Sequence, residues 1–140
     1  MIAVDSSALY AIVRLEPEAG EFARILSEND CLIGAPTRLE AYVAVRARSS
    51  DRHVAILNAI FAWPNILTAE FTQAHFESAR EAYDRFGKGR GHPAQLNFGD
   101  CLSYAVAKVH GLPLLFKGED FSRTDLAAAW APPEAPNYPR

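Results

Sequence analysis

Met1-Ile2-Ala3-Val4-Asp5-Ser6-Ser7-Ala8-Leu9 is the stretch from which the fold of this 140-residue chain is read. Ile2, Ala3 and Val4 form a short apolar run without polar alternation, the pattern of a strand buried on both faces of a parallel sheet. Asp5 closes the run and Ser6 opens a segment of helical period. A carboxylate therefore stands at the carboxyl edge of a strand, where open α/β sheets bind ligands. Burying a strand does not require an ionisable group at its end.

The pattern repeats outward from there. Ser7–Leu15 and Ala19–Glu28 carry apolar stripes at helical spacing (Leu9, Ile12, Val13; then Phe22, Ile25, Leu26), separated by Glu16-Pro17-Glu18. Cys31–Gly34 reads as a second strand, and Pro36 suits the first turn of a helix to about Arg48 with Leu39, Tyr42 and Val43 inward. A helix over Val54, Leu57, Ile60 and Phe61 ends at Trp63-Pro64, and Ile66–Thr68 is a third strand. Thr72 caps a long helix with the stripe Phe76, Ala79, Ala82, Tyr83 and Phe86. A further helix opens at Asn97, with Leu102, Ala105, Val106 and Val109 inward, and Gly111 stops it. Leu112–Phe116 is the fourth strand, and Leu126–Trp130 reads as a short fifth. Strands alternating with helices predict an α/β domain of three α/β/α layers, with a central parallel sheet of four to five strands. That domain is expected to span residues 1–131, followed by a Pro-rich tail over 132–140.

Composition narrows the function classes. Apolar residues make up 49% and charged ones 22%, which suits a packed globule rather than a disordered chain. No apolar run reaches the roughly 18 residues that span a bilayer, and the N-terminus lacks a secretory signal; a soluble cytoplasmic protein without membrane attachment is expected. Cys31 and Cys101 sit in apolar segments without metal-binding spacing and read as buried free thiols. A net charge of −3 gives no general attraction to nucleic acid, so any such attraction is local.

Taken singly, each acid has a structural explanation. Asp5 suits a helix cap, Asp100 a capping box with Asn97, Glu40 a helix start and Asp120 the cap of the next segment. Taken together, Asp5, Glu40, Asp100 and Asp120 all fall at a strand's carboxyl end or within about one turn of a helix start, positions that meet at one crevice of a doubly wound sheet. Clustered carboxylates repel, and a divalent cation relieves that repulsion. Hard oxygen donors favour Mg²⁺, with Mn²⁺ as a substitute. Such a metal activates water and stabilises charge on phosphate, the two needs of phosphodiester hydrolysis. Ser7 is placed to hydrogen-bond an acid or a metal-bound water.

These residues carry a family resemblance. Met1–Leu9, Arg38-Leu39-Glu40, Asn97-Phe98-Gly99-Asp100 and Leu114–Phe121 resemble, in order, the motif blocks of PIN-domain ribonucleases, and in particular the VapC-type toxins of bacterial toxin–antitoxin pairs. The resemblance covers about residues 1–126. It implies a sheet with the first strand central, Mg²⁺-dependent endoribonuclease activity, a homodimer and inhibition by a cognate antitoxin protein. By matching position it assigns Asp5, Glu40, Asp100 and Asp120 as catalytic acids, with Asp5 and Asp100 binding metal directly. Many relatives have Asp or Asn two residues before the last acid; Gly118 stands there instead, which leaves Glu119 or Asp125 as substitutes for Asp120.

Arg85, Lys88, Arg90 and His92 surround the loop Lys88-Gly89-Arg90-Gly91-His92-Pro93 and read either as an RNA-backbone clamp or as a solvated loop. His53, His75 and His110 lie on helices without ligand partners and read as structural. The reading that joins these features is a metal-dependent endoribonuclease cutting a structured tRNA or rRNA. Its rivals are a silent metal- or RNA-binding module of the same fold and a phosphotransfer receiver domain. The receiver would need an acid ending the third strand, where Thr68-Ala69 stands.

Overall fold

The computed structural model describes residues 1–134. Its four strands, β1 (Ile2–Val4), β2 (Cys31–Gly34), β3 (Ile66–Ala69) and β4 (Leu114–Leu115), form one sheet in the order β3-β2-β1-β4. All three pairings are parallel, with Ile2 opposite Cys31, Ala3 opposite Leu114 and Cys31 opposite Ile66. Six helices cover the sheet: α1 (Ser6–Val13), α2 (Ala19–Glu28), α3 (Ala35–Arg48), α4 (Asp51–Phe61), α5 (Gln73–Phe86) and α6 (Phe98–His110). The expected α/β architecture with a central first strand is what the chain adopts. Strand order reverses beside β1, so the crevice beyond β1 and β4 is the position such sheets use for ligands.

Alternation along the strands divides the core. Ile2, Val4, Cys31 and Ile33 pack with α1–α4 on one face. Ala3, Leu32 and Leu114 pack with α5 and α6 on the other. β1, β2 and β4 are thus buried on both sides, whereas Leu67 and Thr68 of the edge strand β3 are exposed, which is why β1 and β2 read as unbroken apolar runs. Burial drives both cysteine thiols up to about 11, and both are free, as inert core thiols should be. Among the described residues no helix is long and apolar enough to cross a membrane.

Two helix faces differ from expectation. On α3 the buried residues are Thr37, Ala41 and Val45, while Leu39 and Val43 are 63% and 54% exposed and Tyr42 also faces outward. On α5 Ala82 and Phe86 are buried, and Phe76 and Tyr83 are exposed; Val109 on α6 is exposed as well. Small residues turn inward on α3 because it packs closely on α1, α4 and α6, leaving no room for larger ones. The expected fifth strand is a single parallel bridge, Leu114 to Ala128, closed by Leu114 N–H to Ala127 O and Ala129 N–H to Leu114 O, both 2.9 Å. Trp130 then packs edge-on against Phe22, with ring centroids 5.1 Å apart. Of the expected Pro-rich tail, residues 132–134 are exposed and outside any helix or strand; residues 135–140 lie outside the described residues.

His75 and His110 join α5 to α6. The Nδ1 of His75 accepts the backbone N–H of Thr72 at 3.1 Å, completing the α5 cap, so its proton sits on Nε2, which meets the Nε2 of His110 at 3.1 Å. Burial, with His110 beside it, holds the His75 imidazole below its ordinary range. Folding therefore favours neutral His75: this contribution is present above about pH 6.5, the unfolded value, and is lost as pH falls through the folded one. His75→Asn keeps an acceptor for the Thr72 N–H but cannot titrate. In thermal melts at pH 7.5 and 5.5 the unaltered protein is expected to lose more stability on acidification than this variant; equal losses would refute the assignment.

Candidate metal centre

Asp5 follows β1 directly and is 2% exposed. Its Oδ2 accepts the backbone N–H of Ser7 at 3.0 Å and the Ser7 hydroxyl at 2.5 Å, while its Oδ1 accepts the Ser103 hydroxyl at 2.5 Å. The Ser7 Oγ in turn accepts the Lys117 backbone N–H at 3.0 Å, tying the loop after β4 to the end of β1. Asp5 is thus the α1 cap and also the innermost acid of the crevice.

Glu40 lies on α3, where its Oε1 accepts the Ser6 hydroxyl at 2.7 Å. Burial raises its pKa and the nearby Asp5 charge adds to that, against the Ser6 bond. Gly99 lets Glu40 in: a Cβ at that position would stand 1.7 Å from Glu40 Oε2. On α6, Asn97 and Asp100 form a reciprocal capping box, with Asn97 N–H to Asp100 Oδ2 at 3.0 Å and Asp100 N–H to Asn97 Oδ1 at 2.8 Å. Burial first, then the charges of Asp5, Asp120 and Glu40, push the Asp100 carboxyl up to about 7 against its hydrogen bond from Asn97.

The four sequence-selected acids therefore share one electrostatic neighbourhood. They do not form a closed cage: among the described residues, no three His, Cys, Asp or Glu side chains group tightly enough to hold an ion alone. An open set of hard oxygens suits Mg²⁺, which keeps several waters and takes only one or two protein carboxylates. The repulsion that adds to burial in raising Asp100 is also what a bound cation relieves.

The alternatives for the last acid differ in their surroundings. Asp125 is engaged elsewhere, accepting from Tyr104 Oη at 2.6 Å and Lys108 Nζ at 2.7 Å, whereas the Asp120 charge reaches Asp100. Glu119 is exposed. Gly118 has φ +98°, a backbone position that favours glycine, which explains why this turn lacks a side-chain acid there.

Of the basic residues, Arg85 lies 3.6 Å from Glu81 and 3.7 Å from Asp125, and stacks over Phe86 at 4.6 Å. Lys88 and Arg90 are exposed on a loop that is anchored at its base: Lys88 N–H donates to Leu96 O at 2.8 Å and Leu96 N–H to Phe86 O at 2.9 Å. Sequence reading misses Ser103, which looks like any small helix residue, and Lys117, whose ammonium pairs with Glu16 and lies 3.2 Å from Glu18. A cleft of about 930 Å³ leads from Ser6, Glu40 and Asn97 along the exposed side of α3 past Leu39 and Val43 to Arg48. Phe98, 81% exposed, borders this cleft and also an apolar cavity of about 530 Å³ with Phe71, Phe76 and Tyr83.

The PIN domain profile matches residues 2–126. Ribonuclease VapC30 of Mycobacterium tuberculosis is 38% identical over 133 residues, covering 92% of this chain and 98% of that protein. The chain belongs to the PIN-domain family, among the VapC ribonucleases. Its fold is similar to the crystal structure of Mycobacterium tuberculosis VapC20, described as a sarcin-ricin loop cleaving toxin, with TM-score 0.74, 20% identity and coverage of 91% and 97% of the two chains. A toxin–antitoxin complex from Klebsiella pneumoniae matches with TM-score 0.62 and 17% identity, over 87% and 91%.

Proposed function

We propose that this PIN domain is a Mg²⁺-dependent endoribonuclease, the toxin of a toxin–antitoxin pair, acting on a structured tRNA or rRNA. The observation that carries this reading is the open group of Asp5, Glu40, Asp100 and Asp120, in which burial first and then the charges of the other three raise Asp100 to about 7. Asp5 and Asp100 would hold Mg²⁺ directly, with Glu40 and Asp120 bound directly or through water. When bound, the ion acidifies a water and neutralises charge on the phosphate. Ser7 fixes the Asp5 rotamer, Ser6 holds Glu40 at the crevice, and the Asn97 cap holds Asp100. Among the described residues Lys88 and Arg90 pair with no acid, and they would position RNA phosphates without reading sequence; Arg85, already paired with acids, contributes less.

Two partner assignments go with it. The cleft along α3 joins an acidic end to an apolar wall, which suits an antitoxin segment with a basic residue at the acids and apolar residues on Leu39 and Val43. The exposed aromatic face of Phe76, Tyr83 and Phe98 suits a second copy of the chain. Titration with the co-expressed antitoxin should protect Leu39 and Val43 from labelling if the first holds.

Purified protein free of antitoxin, incubated with total tRNA and rRNA, should give defined fragments with Mg²⁺ or Mn²⁺ and none with EDTA. Metal binding without cleavage of any RNA would select the silent binding module instead. Neither binding nor cleavage by a folded protein would remove the metal assignment altogether.

A further inference from the structure

Ser103 is the one side chain that reaches Asp5 from outside the β1–α1 segment among the described residues. It is buried on α6, three residues beyond Asp100, and its hydroxyl proton is committed to Asp5 Oδ1 at 2.5 Å. An ionised carboxylate offers about four acceptor sites, two on each oxygen. Ser7 takes both on Oδ2, through its N–H and its hydroxyl, and the Ser7 hydroxyl is itself aimed by the Lys117 N–H. Ser103 takes one of the two on Oδ1. Thr37 Oγ1 stands 3.4 Å from Ser103 Oγ, long for a hydrogen bond, so it adds little to this arrangement.

We propose that Ser103 is a positioning residue: it locks the Asp5 carboxylate so that Oδ1 alone presents a free acceptor site to the metal, and it couples that oxygen to the helix carrying Asp100. The inference rests on Asp5 being a metal ligand. Carboxylate torsions are broad, so without Ser103 the Oδ1 edge of Asp5 loses its only fixed partner while Oδ2 keeps both of its own. Asp5 would then sample orientations unsuited to the ion, although its charge and burial are unchanged. A hydroxyl that merely satisfied a buried acid would affect folding and leave metal affinity alone.

The test is Mn²⁺ titration by calorimetry, with thermal melts and single-turnover cleavage alongside, on the full chain. Ser103→Ala and Ser103→Cys both remove the strong donor, so either one that folds is decisive. Each is expected to weaken Mn²⁺ affinity about tenfold, the lower end for residues that orient metal ligands, with RNA binding in EDTA unchanged. Ser103→Thr, which restores a hydroxyl, should recover affinity to within about threefold of the unaltered protein. Thr37→Val, a loss of buried hydroxyl that spares the Ser103–Asp5 bond, should stay within about twofold. Affinity unchanged in Ser103→Ala or Ser103→Cys, while Asp5→Asn abolishes binding, would overturn the inference and leave the metal reading standing. An unaltered protein that binds no Mn²⁺ would overturn both.

Discussion

Gly99→Ala is expected to lower RNA cleavage about a hundredfold and to cost about 1–3 kcal/mol of stability, the range for overpacking a tight site. The new methyl would lie 1.7 Å from Glu40 Oε2 and 2.6 Å from its Cδ, so the carboxylate has to leave the crevice and give up its bond to Ser6. Helix propensity favours alanine over glycine by up to about 1 kcal/mol, and that gain is too small to reverse the sign. Thermal melts and single-turnover rates measure both effects. A double-mutant cycle with Glu40→Ala locates the cause: once Glu40 is truncated, Gly99→Ala should cost nothing more. A Gly99→Ala protein with the original melting point and rate would mean that Glu40 does not occupy the position described.

Asp100→Asn is expected to separate stability from activity. Its neutral side chain can still accept the Asn97 N–H, so the α6 cap survives. The unaltered carboxyl titrates near 7 in the fold and near 3.9 when unfolded. Folding therefore favours its protonated form; the favourable contribution is present below about pH 4 and is lost as pH rises through 7. Without metal at pH 8, Asp100→Asn should be more stable than the parent by about 1 kcal/mol, or about 4 °C, after discounting for the partial exposure of the site. Added Mg²⁺ should raise the parent's melting point and narrow that gap. Cleavage should fall on the order of a thousandfold, since a metal supplies several kcal/mol of transition-state stabilisation. A variant no more stable than its parent at pH 8 would contradict the burial and crowding of charge that raise Asp100.

Much of this site is visible in the residues because two demands coincide there. Asp5 caps α1 and Asp100 completes the Asn97 capping box of α6, and both belong to the acid group, so each marks a helix start as well as the proposed site. β1 and β2 are legible because strands buried on both faces carry unbroken apolar runs. The inward faces of α3 and α5 are not, since each helix carries apolar residues on more than one arc. Periodicity finds an apolar stripe but cannot tell whether it meets the core or another molecule. It places Leu39, Tyr42, Val43, Phe76 and Tyr83 inward for that reason, and the close contacts of Thr37, Ala41 and Ala82 exclude them. Ser103 carries no signal, because its meaning depends on Asp5, 98 positions away. The Asp125 network with Tyr104, Lys108 and Arg85 is hidden in the same way.

The pairing of β1 with β4 has a consequence for timing. Ala3 meets Leu114, and the crevice joins Asp5 to the Lys117–Asp120 loop, so the first strand must wait for Leu114 and Leu115 before it has its second neighbour. Contacts this distant in sequence form late, because the intervening chain has to be ordered first. During translation, the nascent chain can gather α1 to α4 against β1, β2 and β3, bringing Asp5 and Glu40 together before Asp100 and Asp120 join them. The acid group proposed for RNA cleavage is therefore incomplete until Asp100 and the Lys117–Asp120 loop have been made and docked.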